Sequence, residues 1–236
     1  MLGSPYEAAS IHVSIVVMAY NEAGTLSGVL DEIDATMRDS AYTYEVIVVD
    51  DGSSDGTGQI ADEAAQRLPS VNVLHHPTNR GIGEVYRSGF QAATGKYLTF
   101  LPADGQFPAN IVSSFVPLMS RADLVLGYLP DVRRSPVAMV LSWTERSLYR
   151  AMFGRLPPFQ GIMMFRRAML EELGVKPGGR GWGVLMEIIV RAKRHQLNIV
   201  SVPTSLRARA SGKSKVHNVR SIRANINQAI ALWKSL

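Results

Sequence analysis

Four consecutive β-branched residues, Val46-Ile47-Val48-Val49, stop abruptly at Asp50-Asp51-Gly52-Ser53-Ser54-Asp55-Gly56-Thr57. An unbroken apolar run of this kind is the mark of a strand buried on both faces, and burial on both faces belongs to parallel sheets covered by helices. Carboxylates, glycines and hydroxyls arriving together at its end mark a loop at the carboxyl edge, where open α/β sheets bind ligands. The pattern recurs. Val13-Ser14-Ile15-Val16-Val17-Met18 leads into Ala19-Tyr20-Asn21-Glu22, and Tyr97-Leu98-Thr99-Phe100-Leu101 leads into Pro102-Ala103-Asp104-Gly105-Gln106. Taken singly, Asp-Gly-Ser is ordinary turn chemistry, and Asp55 reads equally well as a cap for a helix starting near Thr57. Three strand ends in order point to one cleft.

Between the strands, helical spacing takes over. Thr25 through Met37 carries Leu26, Val29, Leu30 and Ile33 on one stripe, and Thr57 through Leu68 carries Ile60, Ala61, Ala64 and Leu68 on another. Strand, helix, strand, helix, strand in that order predicts a parallel sheet with right-handed crossovers, as in Rossmann-like domains. At 236 residues, 46% hydrophobic and 19% charged, the chain suits one α/β domain with a substantial core.

Together, Ala19-Tyr20-Asn21-Glu22, Val48-Val49-Asp50-Asp51-Gly52-Ser53-Ser54-Asp55-Gly56-Thr57, Asn79-Arg80-Gly81-Ile82-Gly83 and Ala103-Asp104-Gly105-Gln106 resemble the family 2 inverting glycosyltransferases of GT-A fold. Within that family the chain looks most like the polyprenyl-phosphate, dolichyl-phosphate mannose synthase-like branch. The resemblance covers roughly residues 11–218 and implies a GT-A Rossmann-like, mostly parallel sheet flanked by helices. Residues 1–10 read as a tail, 11–118 as a donor half, 119–218 as an acceptor half, and 219–236 as a terminal amphipathic helix with Ile222, Ile226, Ile230, Leu232 and Trp233.

The resemblance further implies transfer of a sugar from a GDP- or UDP-linked donor. Ala19, Tyr20, Glu22, Asp50, Asp51, Gly81 and Ala103 would bind the donor, with Asp51 accepting from the base. A carboxylate suits that task because bases expose N–H donors and ribose exposes hydroxyls. Diphosphate chemistry calls for Mg²⁺ or Mn²⁺, held by one or two carboxylates plus phosphate oxygens. Asp104 would be the principal metal contact, assisted by Gln106. Family members usually carry Asp-x-Asp here, whereas this chain has Pro102-Ala103-Asp104 and lacks the first carboxylate.

The second half is electrostatically the reverse of the first. Residues 1–118 hold 5 basic and 14 acidic side chains, and residues 119–236 hold 20 basic and 6 acidic, within an overall charge of +5. A basic half suits an anionic acceptor or an anionic membrane surface. Nucleic acid is disfavoured, since no nucleic-acid-binding module is present. A polyprenyl phosphate is already an anion at neutral pH, so its enzyme needs cations to position it and no strong base. By resemblance the acceptor-binding residues are the cations Arg133 and Arg134, and the cations Arg209, Lys213 and Lys215 with the hydroxyl of Ser214 in the segment Arg207-Ala208-Arg209-Ala210-Ser211-Gly212-Lys213-Ser214-Lys215. Arg133, Arg134, Arg209 and Lys215 would act with Asp104 in catalysis.

Transfer to a hydroxyl would instead need a general base, for which Glu187 is the candidate, and a non-catalytic donor-binding relative is the third alternative. Residues 136–154 interleave Trp143, Leu148, Tyr149, Met152 and Phe153 with Arg146 and Arg150, a pattern for a membrane-interface helix or for core. No stretch is long and apolar enough to span a bilayer, so a peripheral, cytoplasmic-side position is expected, with a second copy or a membrane protein open as partner. There is no cysteine, which excludes disulfides and thiolate metal sites. His75, His76, His195 and His217 lack paired metal-ligand spacing, so hydrogen-bonded or solvated roles are expected for them.

Overall fold

The computed structural model describes residues 12–130, 149–175, 183–207 and 229–234. A seven-stranded sheet in the order β3-β2-β1-β4-β6-β5-β7 organises them. β1 (Val13–Ala19), β2 (Tyr44–Asp50), β3 (Val71–His75) and β4 (Tyr97–Pro102) are mutually parallel, joined by α1 (Leu26–Arg38), α2 (Thr57–Arg67) and α3 (Ile82–Ala92). After α4 (Asn110–Phe115) and a 3₁₀ turn (Val116–Ser120) come β5 (Leu124–Tyr128), a short helix α5 over 149–153, β6 (Met163–Arg166), α6 (Met169–Glu172), α7 (Gly183–Arg194) and β7 (Ile199–Pro203).

The apolar strands are explained by two-sided burial. Ile15 and Val17 of β1 and Val46 and Val48 of β2 face one core with α1 and α2, while Val16, Met18, Ile47 and Val49 face a second core with α3 and α7. Helix α1 makes no side-chain cap bond at Thr25, yet it buries Leu26, Val29, Leu30, Ile33 and Met37. A cap is worth ~1 kcal/mol, whereas each fully buried side chain of this size contributes ~1.5–3 kcal/mol, so the stripe holds the helix.

β6 runs antiparallel to both β4 and β5, between which it lies. Because it reverses direction, the entrance to β6, not its exit, meets the carboxyl ends of the other six strands. All the acidic strand ends and the 157–161 loop therefore share one edge. At the opposite edge, Glu45 accepts from Ser14 Oγ and from the backbone and hydroxyl of Thr94, tying the α3–β4 turn to the sheet.

The expected terminal helix lies outside the described residues except at 229–234, which are helical, burying Ala229 and Leu232 and exposing Ile230 and Trp233. Of the expected 136–154 helix, only 149–154 is described, and 149–153 is helical. Among the described residues no helix is long and apolar enough to cross a membrane.

Candidate active site

The loops after β1 and β2 are laced together. Asn21 takes a left-handed backbone (φ 53) and turns the chain out of β1. Its N–H donates to Ser53 Oγ at 2.9 Å, and its Oδ1 accepts the Ser54 N–H at 2.9 Å. Glu22 N–H donates to Thr57 Oγ1 at 2.8 Å, and Ala23 N–H to Asp55 Oδ2 at 3.2 Å. Asp55 also accepts both the amide and hydroxyl of Thr57. Partial burial pushes its carboxyl up, but these hydrogen bonds prevail and hold it below the ordinary value. Tyr20 projects from this rim with 37% of its surface exposed, while Ala19 and Ala103 beneath it are closed off.

The acidic pair at the end of β2 meets a histidine pair at the end of β3. Parallel register sets Asp50 opposite His75. His75 Nδ1 lies 3.3 Å from Asp50 Oδ2, and its Nε2 lies 3.1 Å from Asp62 Oδ1. The bond to Asp62, with a smaller part from Asp50, outweighs partial burial and raises the His75 pKa above its ordinary value. Asp51 points the other way and is 2% exposed. It accepts the Arg80 N–H at 2.9 Å and the Gly81 N–H at 2.8 Å, and sits 2.7 Å from His76 Nδ1, whose Nε2 is 2.8 Å from Ser88 Oγ on α3. Asp51 thus shapes the entrance to α3, where Gly81 has φ 91. Gly52, with φ 71, lets the β2 loop approach this turn: a Cβ there would lie 2.5 Å from the Thr78 carbonyl carbon.

At the end of β4, Asp104 is 8% exposed and its Oδ1 accepts the Gln106 N–H at 3.1 Å. Gln106 C=O accepts the Arg207 N–H at 2.8 Å. A methyl on Gly161 would overlap the Phe107 ring, so the chain entering β6 lies directly against the Asp104 loop. Beyond it opens a cavity of about 410 Å³ between β5, α5, the 154–160 loop and α7. Tyr128, Tyr149, Pro158, Phe159, Met186 and Ile189 give it apolar walls, and Arg150 and Arg155 give it positive charge.

Among the described residues no group of three or more His, Cys, Asp or Glu side chains gathers to hold a metal. A single hard carboxylate with a neighbouring amide oxygen fits Mg²⁺ or Mn²⁺ whose remaining ligands are substrate phosphates and water, and does not fit an all-protein cage. The donor set therefore suits a metal carried with a diphosphate. Glu187, the candidate base, is engaged elsewhere: its Oε1 accepts from Arg191 Nε at 2.7 Å on α7.

Asp50, Asp51, Tyr20, Glu22, Gly81 and Asp104 thus gather along the carboxyl edge. Arg133, Arg134, Arg209, Lys213, Ser214 and Lys215 lie outside the described residues. His76 takes the hydrogen-bonded role expected of it, with partners the sequence did not name, Asp51 and Ser88; sequence reasoning passed over Ser88 and gave no role to Glu32. The signal for His76 was its position: a histidine pair ending the strand that follows an acidic strand end will face it if the two strands are parallel neighbours.

Residues 14–174 match the family model described as Glycosyl transferase family 2. The chain is 29% identical to an undecaprenyl-phosphate mannosyltransferase of Micrococcus luteus, over 87% of this chain and 88% of that protein. It is 28% identical to a polyprenol monophosphomannose synthase of Mycolicibacterium smegmatis, over 93% of this chain and 85% of that one. In fold it is similar to glucosyl-3-phosphoglycerate synthase from Mycobacterium tuberculosis, solved in complex with Mn²⁺, uridine diphosphate and phosphoglyceric acid. The TM-score is 0.70 at 22% identity, over 97% of this chain and 78% of that one.

Proposed function

The chain belongs to glycosyl transferase family 2, and from that premise we propose that this enzyme moves a sugar from a nucleoside diphosphate sugar to a polyprenyl phosphate at a membrane surface. The bond from the anomeric carbon to the departing diphosphate breaks as an acceptor phosphate oxygen bonds to that carbon from the opposite face. The anomeric configuration inverts and nucleoside diphosphate leaves. Two relatives named for mannosyl transfer to such lipids support the acceptor class.

The observation that carries this reading is the cavity between β5, α5, the 154–160 loop and α7, reached from the Asp104 loop through Gly161, which lies against Phe107. Its aromatic and aliphatic walls suit an isoprenoid chain, and Arg150 and Arg155 suit a phosphate at its head. An acceptor that arrives ionised needs no carboxylate to deprotonate it, consistent with Glu187 being committed to Arg191. Asp51 and the amides it arranges, with Tyr20 and Glu22, would hold the nucleoside. Asp104 and Gln106 would hold Mg²⁺ or Mn²⁺, which when bound supplies neutralisation of the leaving diphosphate. Arg133, Arg134, Arg209, Lys213, Ser214 and Lys215 would orient the acceptor phosphate and draw the protein to anionic lipid. Catalysis is then positioning plus charge neutralisation.

The test is transfer of label from GDP- and UDP-sugars, with Mn²⁺, into undecaprenyl or dolichyl phosphate presented in vesicles, alongside soluble hydroxyl acceptors. Label in the lipid phase is expected. Label only in a soluble acceptor would overturn the lipid assignment, and donor binding without turnover on any acceptor would leave a non-catalytic relative.

A further inference from the structure

Asp104 stands without the first carboxylate usual in its motif, so it is the one carboxylate that the 102–107 loop offers a metal. We propose that Glu32, on α1, is a positioning residue for the Asp104 loop and acts through Arg207. The inference rests on the reading of Asp104 as the residue that meets metal and diphosphate, and it extends that reading to residues remote in sequence.

Helix α1 runs beneath the loop, with Val29 Cγ2 3.7 Å from where a Cβ on Gly105 would lie. One turn further, Glu32 reaches the loop from both sides. Its Oε1 accepts the Ala109 N–H at 3.0 Å. Its two oxygens accept the Arg207 guanidinium as a fork, at 2.6 and 2.9 Å. Arg207 in turn donates its backbone N–H to Gln106 C=O, and Gln106 donates its own N–H to Asp104 Oδ1. Hydrogen bonds thus run unbroken from α1 through Arg207 and Gln106 to the carboxylate. The Arg207 bond holds Glu32 below the ordinary carboxylate range, which keeps the fork charged.

A plain staple between β7 and α1 would have the same geometry, so magnitude separates the two. The Arg207 and Glu32 side chains are 52% and 32% exposed, and pairs this open contribute little to folding. A lone carboxylate ligand is more sensitive, because no second carboxylate compensates when it swings away.

Glu32→Gln keeps an oxygen for the Ala109 amide and removes the charge. Arg207→Lys keeps the charge and the backbone N–H and removes the fork. Calorimetry of UDP and of GDP binding across Mn²⁺ concentration reads the effect without an acceptor. Each variant is expected to raise the half-saturating Mn²⁺ about fivefold, which is ~1 kcal/mol at ~1.4 kcal/mol per tenfold. The double variant should match either single one, since the pair acts as a unit. Donor kcat/KM should fall at limiting Mn²⁺ and recover at saturating Mn²⁺.

Unchanged half-saturation with a lowered Tm would make the pair a staple and overturn the proposal. Additive losses in the double variant would overturn the route through Arg207. Wild-type protein that binds neither nucleotide with Mn²⁺ would overturn the Asp104 reading itself, and this inference with it.

Discussion

His76 Nδ1 lies 2.7 Å from Asp51 Oδ1, and both side chains are almost wholly excluded from solvent. The ring bridges to Ser88 on its other side, so it joins the end of β2 to α3. His76→Phe would fill similar space but leave the Asp51 and Ser88 oxygens short of a partner. A buried polar group so stranded costs ~1–3 kcal/mol, and a loss of that size is expected in urea denaturation, together with weaker nucleotide binding. Wild-type stability would show that water or a rearranged side chain replaces the imidazole.

Asp51→Asn preserves shape but turns one acceptor oxygen into a donor facing the Arg80 or Gly81 amide. Because the predicted partner of Asp51 is the base, free UDP or GDP should bind about tenfold more weakly, as should the sugar donor. Equal affinity for the free nucleotides would limit Asp51 to shaping the turn.

Gly52 has φ 71, and a Cβ there would meet backbone atoms of Thr78 and Asn79 at 2.5–2.7 Å. Backbone cannot rotate away as a side chain can. Gly52→Ala should therefore cost at least ~1–3 kcal/mol in strain, measurable by denaturation, and displace the turn that Asp51 holds. A neutral substitution would show that the two loops can part without consequence.

The His75 pKa is raised above 6.5 in the folded state, chiefly by Asp62 and then by Asp50. The folded state binds this proton more tightly than the unfolded chain does. Its contribution to stability is fully present below about pH 6.5 and is lost as pH rises through the folded pKa. The ring is 44% exposed, so the amplitude should be small. Thermal melts from about pH 5.5 to 8.5 should show this slope in the wild type and a flatter one in His75→Gln. Identical slopes would place the pH dependence on other groups.

Asp104→Asn should leave the Tm within about 2–4 °C of wild type, the shift that ~1 kcal/mol gives a domain of this size. Glycosyl transfer should fall at least about a hundredfold, since the amide keeps the shape and loses the charge. With no first carboxylate to share the metal, wild-type activity should keep rising over a wide Mn²⁺ range. Full activity in chelator would assign the neutralisation to cationic side chains.

Much of this fold is legible in local periodicity. The apolar runs at Val13, Val46 and Tyr97 and the stripes on α1 and α2 place strands and helices to within two residues of where they lie, because burial on a sheet or helix face is written into neighbouring positions. The acidic strand ends were readable for the same reason. Continuous apolar strands separated by amphipathic helices point to parallel neighbours, and parallel neighbours put their carboxyl ends on one edge.

What only the tertiary structure decided is which distant segments meet there. No spacing rule inserts β6 between β4 and β5 in reverse, which is what brings Gly161 onto Phe107. None pairs Glu32 with Arg207 across 175 positions, or turns His76 toward Asp51 and His75 toward Asp50. Such contacts follow from strand order and helix packing, whose energy comes from the core as a whole, so the sequence neighbourhood of a polar group does not name its partner until the order of the strands is known.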